Sequence, residues 1–75
     1  MNSFERVQKI VANQLSVDLQ NIHEDTTFEQ VDADSLDVVE VIMSIESEFN
    51  IKLPDDEVEN FKNLGELSKY VDTLL

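Results

Sequence analysis

The chain has 75 residues, enough for one domain at most, because compact domains seldom run below about 50 residues and usually exceed 100. It carries 17 acidic side chains against 5 basic ones and a single histidine, a formal net charge of −12. Nucleic-acid phosphates and anionic membrane surfaces are bound by clustered Lys and Arg, which this chain lacks. The absence of cysteine excludes a disulfide framework, a thiolate metal site and a thiol nucleophile.

The start, Met1-Asn2-Ser3-Phe4-Glu5, has no basic and apolar leader, and no apolar run approaches 18 residues. A cytoplasmic protein without a membrane span is therefore expected. Ser3 stands where it can cap a helix over residues 4–15, whose apolar residues Phe4, Val7, Ile10, Val11 and Leu15 fall on one stripe. From Ser16 to Asp34 the periodicity fades, and Val17, Leu19, Ile22, Phe28 and Val31 are scattered among polar residues. So long a loop is either functional or anchored by those apolar side chains. His23, alone in this acidic stretch, reads as a surface residue.

Residues 35–49 form the second predicted helix. Val38, Val41, Ile42, Ile45 and Phe49 lie within about 100° of one another and make an ordinary core stripe. Leu36, Val39 and Met43 cluster on the roughly opposite side, flanked by Glu40 and Glu46, with Asp37 a little further round. A domain this small can hardly enclose a helix on all sides, so the second stripe is expected to face solvent and a partner. Asn50 ends the helix, and Ile51-Lys52-Leu53-Pro54 reads as an extended connector. Pro54-Asp55-Asp56-Glu57 has the composition of a helix start, which predicts a short third helix at about 55–60 with Val58 and Phe61 turned inward. Asn63-Leu64-Gly65-Glu66 is a capping-box variant opening a last helix, with Leu64, Leu67, Tyr70, Val71 and Leu74 as its stripe. The expected fold is all-α: a small four-helix bundle with three main helices, one short third helix and a long loop between the first two. Residues 1–75 are expected to form a single domain. Too little apolar material remains for a deep, dehydrating pocket, which points to an interaction module rather than an enzyme, with no catalytic residues.

Asp32-Ala33-Asp34-Ser35-Leu36-Asp37 places four oxygen-bearing side chains where the long loop meets the second helix. One reading is plain capping, by Asp34 or Ser35, with Asp37 in the first turn. A calcium loop is ruled out. Counting from Asp32, the sixth position is Asp37 where glycine is needed, and the twelfth is Met43 where glutamate is needed. No metal site is predicted. The third reading makes Ser35 a modification site, whose attached phosphate would meet free N–H groups and the positive end of the helix dipole.

Asp34-Ser35-Leu36-Asp37, followed by Val39-Glu40-Val41, by Glu46, Glu48 and Phe49, and by Ile51, Leu53, Pro54 and Asp55, resembles the acyl carrier protein family. The resemblance runs over essentially the whole chain, to Tyr70-Val71. It implies that Ser35 carries a 4′-phosphopantetheine arm donated by coenzyme A, with Asp34, Leu36 and Asp37 as the flanking recognition motif. Acyl chains would ride as thioesters on the arm's thiol, a group that this cysteine-free chain has to borrow. The implied partners are a phosphopantetheinyl transferase and enzymes of fatty acid biosynthesis whose basic patches dock on Leu36, Val39 and Met43 within the rim of Asp37, Glu40 and Glu46. The protein is expected to be a monomer. Ile42, Ile45, Leu53 and Val58 are the expected lining where an acyl chain could shelter. Rival readings are a carrier of polyketide, aminoacyl or other specialised acyl groups, and a non-covalent acidic helical module in which Ser35 only caps. The chain departs from the family pattern at Asp32, where glycine is usual, in a segment Phe28–Ser35 one residue shorter than the usual bacterial loop, and at Ser47, where an acid is common.

Overall fold

A computed structural model describes residues 3–54 and 60–75. The described chain contains three α-helices, α1 (Phe4–Leu15), α2 (Ser35–Phe49) and α3 (Leu64–Leu74), and one 3₁₀ turn (Leu19–Asn21). No strand occurs among the described residues. The main helices fall where the hydrophobic periodicity places them. The short helix predicted at about 55–60, and with it Val58, lies outside the described residues.

Helix α1 packs against α2, α3 and the 3₁₀ turn. Val7 and Val11 are fully buried between them, and Phe4, Ile10 and Leu15 pack at the edge of the core. Ser3 precedes the helix but does not cap it. Its backbone is already helical (φ −82°, ψ −5°), a geometry from which its hydroxyl bonds none of the first-turn N–H groups. The hydroxyl instead donates to the Ser68 carbonyl at 2.8 Å, and the Ser3 N–H donates to Asp72 Oδ1 at 2.9 Å, so Ser3 ties the start of α1 to α3.

The core joins these valines to Ile22, Val41, Ile42, Ile45, Phe49, Leu53, Leu64, Leu67 and Val71. In α3 the inward face centres between Leu64 and Val71 and includes buried Gly65 and Ser68. At about 100° per residue, Tyr70 and Leu74 lie off that centre. Tyr70 is accordingly half-buried, its ring 5.4 Å from that of Phe61, and Leu74, expected in the core stripe, is 41% exposed. Phe61 itself is half-buried against the core.

The long loop is held from both sides. Ile22 is fully buried, and Gln8 Nε2 of α1 donates to the carbonyls of Ile22 (2.7 Å) and Leu19 (3.2 Å). Thr26 is buried and its Oγ1 accepts the His23 N–H at 2.8 Å, while the His23 side chain stays at the surface. Residues 28–33 then make a closed turn. Thr27 and Gln30 bond reciprocally, N–H to side-chain oxygen, at its start. At its end the Ala33 N–H reaches the Phe28 carbonyl (3.0 Å) and the Asp32 N–H reaches that of Glu29 (3.1 Å). This is a Schellman closure, and it puts Asp32 in the left-handed region at φ 56°. Glycine is the least strained residue at such a position, and Asp among the better tolerated substitutes. The departure at Asp32 therefore keeps the turn.

Candidate functional site

The loop delivers the chain to α2 with Asp34 as N-cap. Asp34 Oδ1 accepts the Asp37 N–H at 2.9 Å, and Asp37 Oδ2 accepts the Asp34 N–H at 3.2 Å, a complete capping box. That settles which residue caps. Ser35 is the first helical residue; it is exposed, and its hydroxyl makes no hydrogen bond among the described residues. The N–H groups of Ser35 and Leu36 have no carbonyl one turn back to bind, so the first turn presents two donors beside a free hydroxyl, at the positive end of the helix dipole.

Along α2 the two stripes separate as the spacing predicts. Val41, Ile42, Ile45 and Phe49 are buried and Val38 is half-buried, whereas Leu36, Val39 and Met43 are 64%, 52% and 61% exposed. Single exposed apolar side chains are unremarkable, but three on one helix face, beginning at the residue after Ser35, make a continuous apolar strip. The carboxylates around it are each held by the chain's own donors. Asp37 is bound into the capping box. Glu40 Oε2 accepts from Gln14 Nε2 of α1 at 2.6 Å, and Glu46 Oε2 accepts the Leu53 N–H at 2.8 Å. No Lys or Arg pairs with these three; the ion pair present among the described residues is Arg6–Glu48 (2.7 Å), with the guanidinium 4.2 Å from the centre of the Phe49 ring. The negative charge beside the strip is thus not cancelled internally.

Gln14 is a residue that sequence reasoning missed. It sits 26 positions from the carboxylate it positions, and no local pattern marks it. Glu46 was expected in the rim; its bond to the connector was not. Of the residues expected to shelter an acyl chain, Ile42, Ile45 and Leu53 are buried in the one core, and Val58 is outside the described residues.

The chemistry at Ser35 fits attachment of a phosphodiester: an accessible hydroxyl, two open backbone donors and a favourable dipole. It also fits a group that brings its own thiol, because the chain has none. Residues 5–71 match the family model described as the phosphopantetheine attachment site. The chain is 42% identical over 73 residues to an acyl carrier protein of Helicobacter pylori, covering 96% of this chain and 94% of that protein. It is 39% identical over 74 residues to one of Wolinella succinogenes, covering 97% of each chain, and 41% identical over 73 residues to one of Helicobacter hepaticus, covering 96% of each.

Proposed function

Because the chain belongs to the acyl carrier protein family, we propose that Ser35 is the residue that carries its 4′-phosphopantetheine and that the protein shuttles acyl chains in fatty acid biosynthesis. The observation that carries this is the division of labour at the start of α2: Asp34 takes the cap, which leaves the Ser35 hydroxyl without an internal role. In the attachment reaction, catalysed by a phosphopantetheinyl transferase, Ser35 Oγ attacks the β-phosphorus of coenzyme A. A new P–O bond forms, the bond to the adenosine bisphosphate breaks, and the hydroxyl proton passes to a base on the transferase. When bound, the arm supplies the thiol on which acyl groups are held as thioesters. The Ser35 and Leu36 N–H groups would be the donors available to the phosphodiester charge, and the protein itself catalyses no step.

Leu36, Val39 and Met43 form the docking strip for the transferase and for synthesis enzymes with basic patches, and Asp37, Glu40 and Glu46 steer those patches onto it. A carrier has to leave each enzyme to reach the next. A small apolar contact set in salt-sensitive attraction suits that turnover. The protein works as a cytoplasmic monomer, and Ile42, Ile45 and Leu53 border the space in which an acyl chain shelters.

Incubation with coenzyme A and a broad-specificity transferase, followed by intact mass and site mapping, tests the assignment. The expected result is one phosphopantetheine increment on Ser35, absent from Ser35→Ala. No increment on the wild-type chain, or one that survives in Ser35→Ala, would overturn it.

A further inference from the structure

Glu46 does more than contribute charge to a rim. Its carbonyl accepts the N–H groups of both Asn50 and Ile51, which close α2 through Asn50 at φ 56°. Its carboxylate then accepts the Leu53 N–H at 2.8 Å in a partly buried setting. One residue therefore sets the path of the chain from the end of the helix to Leu53. The Leu53 N–H has no other acceptor among the described residues, and the Leu53 side chain is only 5% exposed, in the same core as Ile42 and Ile45. In the other direction Glu46 lies one turn beyond Met43, at the end of the exposed apolar strip.

We propose that Glu46 couples occupation of the apolar strip to the packing of Leu53. A partner's Lys or Arg that turns the Glu46 carboxylate toward itself takes the acceptor from the Leu53 N–H and loosens Leu53 from Ile42 and Ile45. The carboxylate exchanges one donor for a stronger, cationic one, whereas the Leu53 N–H is left to water. Such coupling is reciprocal: whatever displaces Leu53 from the core frees Glu46 for docking. This rests on reading the strip as a docking face.

Amide hydrogen exchange on the full-length holo protein tests both halves. In the free protein, Glu46→Ala removes the acceptor, and exchange at Leu53 is expected to rise about tenfold or more, with Val41 changing less than about twofold. Glu46→Gln keeps an acceptor oxygen and should leave Leu53 within about threefold of wild type. Equal protection of Leu53 in all three proteins overturns the brace. The second half uses a condensing enzyme of fatty acid synthesis at saturating concentration, with coverage of the strip read from the Met43 methyl signal. Binding should speed Leu53 exchange about tenfold in the wild type and add nothing in Glu46→Ala. If the Met43 signal reports coverage while Leu53 stays as protected as before, the coupling is overturned and the docking face stands. If the Met43 signal does not respond at all, the docking reading fails and the coupling falls with it.

Discussion

The N-termini of α2 and α3 start from the same local chemistry and end in opposite states. Each has an Asx cap, Asp34 or Asn63, that accepts the N–H three residues on at 2.9 Å. In α3 the two remaining first-turn donors are also taken. The Leu64 N–H donates to the Thr26 carbonyl at 2.9 Å and the Gly65 N–H to the Glu24 carbonyl at 2.7 Å, so the long loop plugs the helix end. In α2 no loop carbonyl among the described residues reaches the equivalent groups, and Ser35 stands beside them with a hydroxyl that bonds none of the described residues. The α2 end stays open because the fold withholds from it the carbonyls it supplies to the α3 end. The same loop does both jobs, with residues 24–26 closing α3 and residues 28–34 presenting α2.

Substitutions at the two ends should therefore have very unequal effects on stability. Gly65 is the only glycine in the chain, and a Cβ there would stand 2.8 Å from the Glu24 carbonyl oxygen and 3.1 Å from Glu24 Cβ. The carbonyl oxygen is backbone and the Cβ is fixed to it, so neither can swing aside alone and the loop has to back away. Gly65→Ala is expected to destabilise by about 2 kcal/mol, as overpacking of this kind does. That corresponds to a Tm lower by about 8–16 °C for a domain of this size. Ser35→Ala, at the open end, should stay within about 0.5 kcal/mol of wild type in the same thermal melt. Similar losses at the two positions would abolish the distinction between a plugged and an open end.

Removing the caps examines the same contrast more finely. Asp34→Ala removes the carboxylate that accepts the Asp37 N–H, leaving only the bond from the residue-34 N–H to the Asp37 carboxylate, and should cost about 1 kcal/mol. Asn63→Ala costs a similar amount, but the loop carbonyls still hold Leu64 and Gly65. Amide exchange is the measurement that separates them. Asp37 and Val38 should lose protection in Asp34→Ala as the first turn of α2 frays, while the first turn of α3 stays closed in Asn63→Ala. Fraying of both ends alike would show that the plug contributes nothing.

Much of this was legible in the sequence, and the limits are physical. The two stripes of α2 could be read because a 3.6-residue period sorts side chains without knowledge of neighbours. The Asx caps could be read because they bond within three residues. Which of Asp34 and Ser35 caps depends on backbone geometry just before the helix, and composition alone leaves both open. Ser3 was misread for a related reason: the local pattern offers it a cap, and a carbonyl 65 positions away takes its hydroxyl. Glu66 shows a smaller displacement, its carboxylate reaching the Lys62 N–H at 3.3 Å rather than the Asn63 N–H of a full capping box. The plug of α3, the hold of Gln14 on Glu40 and the brace from Glu46 to Leu53 all join a side chain or helix end to backbone or side chains that only the tertiary fold brings near.

The smallest expected effect concerns the turn that presents the open end. Asp32 adopts φ 56° so that the Ala33 N–H can close on the Phe28 carbonyl, and this closure aims residues 33–34 into the α2 cap. An L residue is strained there, Asp less than most, and glycine is not. Glycine gives back part of that gain through the greater freedom of the unfolded chain. Asp32→Gly should therefore stabilise by only about 0.5 kcal/mol, raising Tm by about 2–4 °C. The change also removes one of the 13 carboxylates crowded between residues 24 and 59, where Lys52 is the only base, which acts in the same direction. Asp32→Asn separates the two contributions: it tolerates left-handed backbone and loses the charge. If Asn raises Tm as much as Gly, the repulsion dominates and the turn is unstrained. If Gly alone raises it, the strain at Asp32 is a feature of how α2 is presented, with no counterpart at α3, whose glycine is needed for closeness and not for its backbone angles.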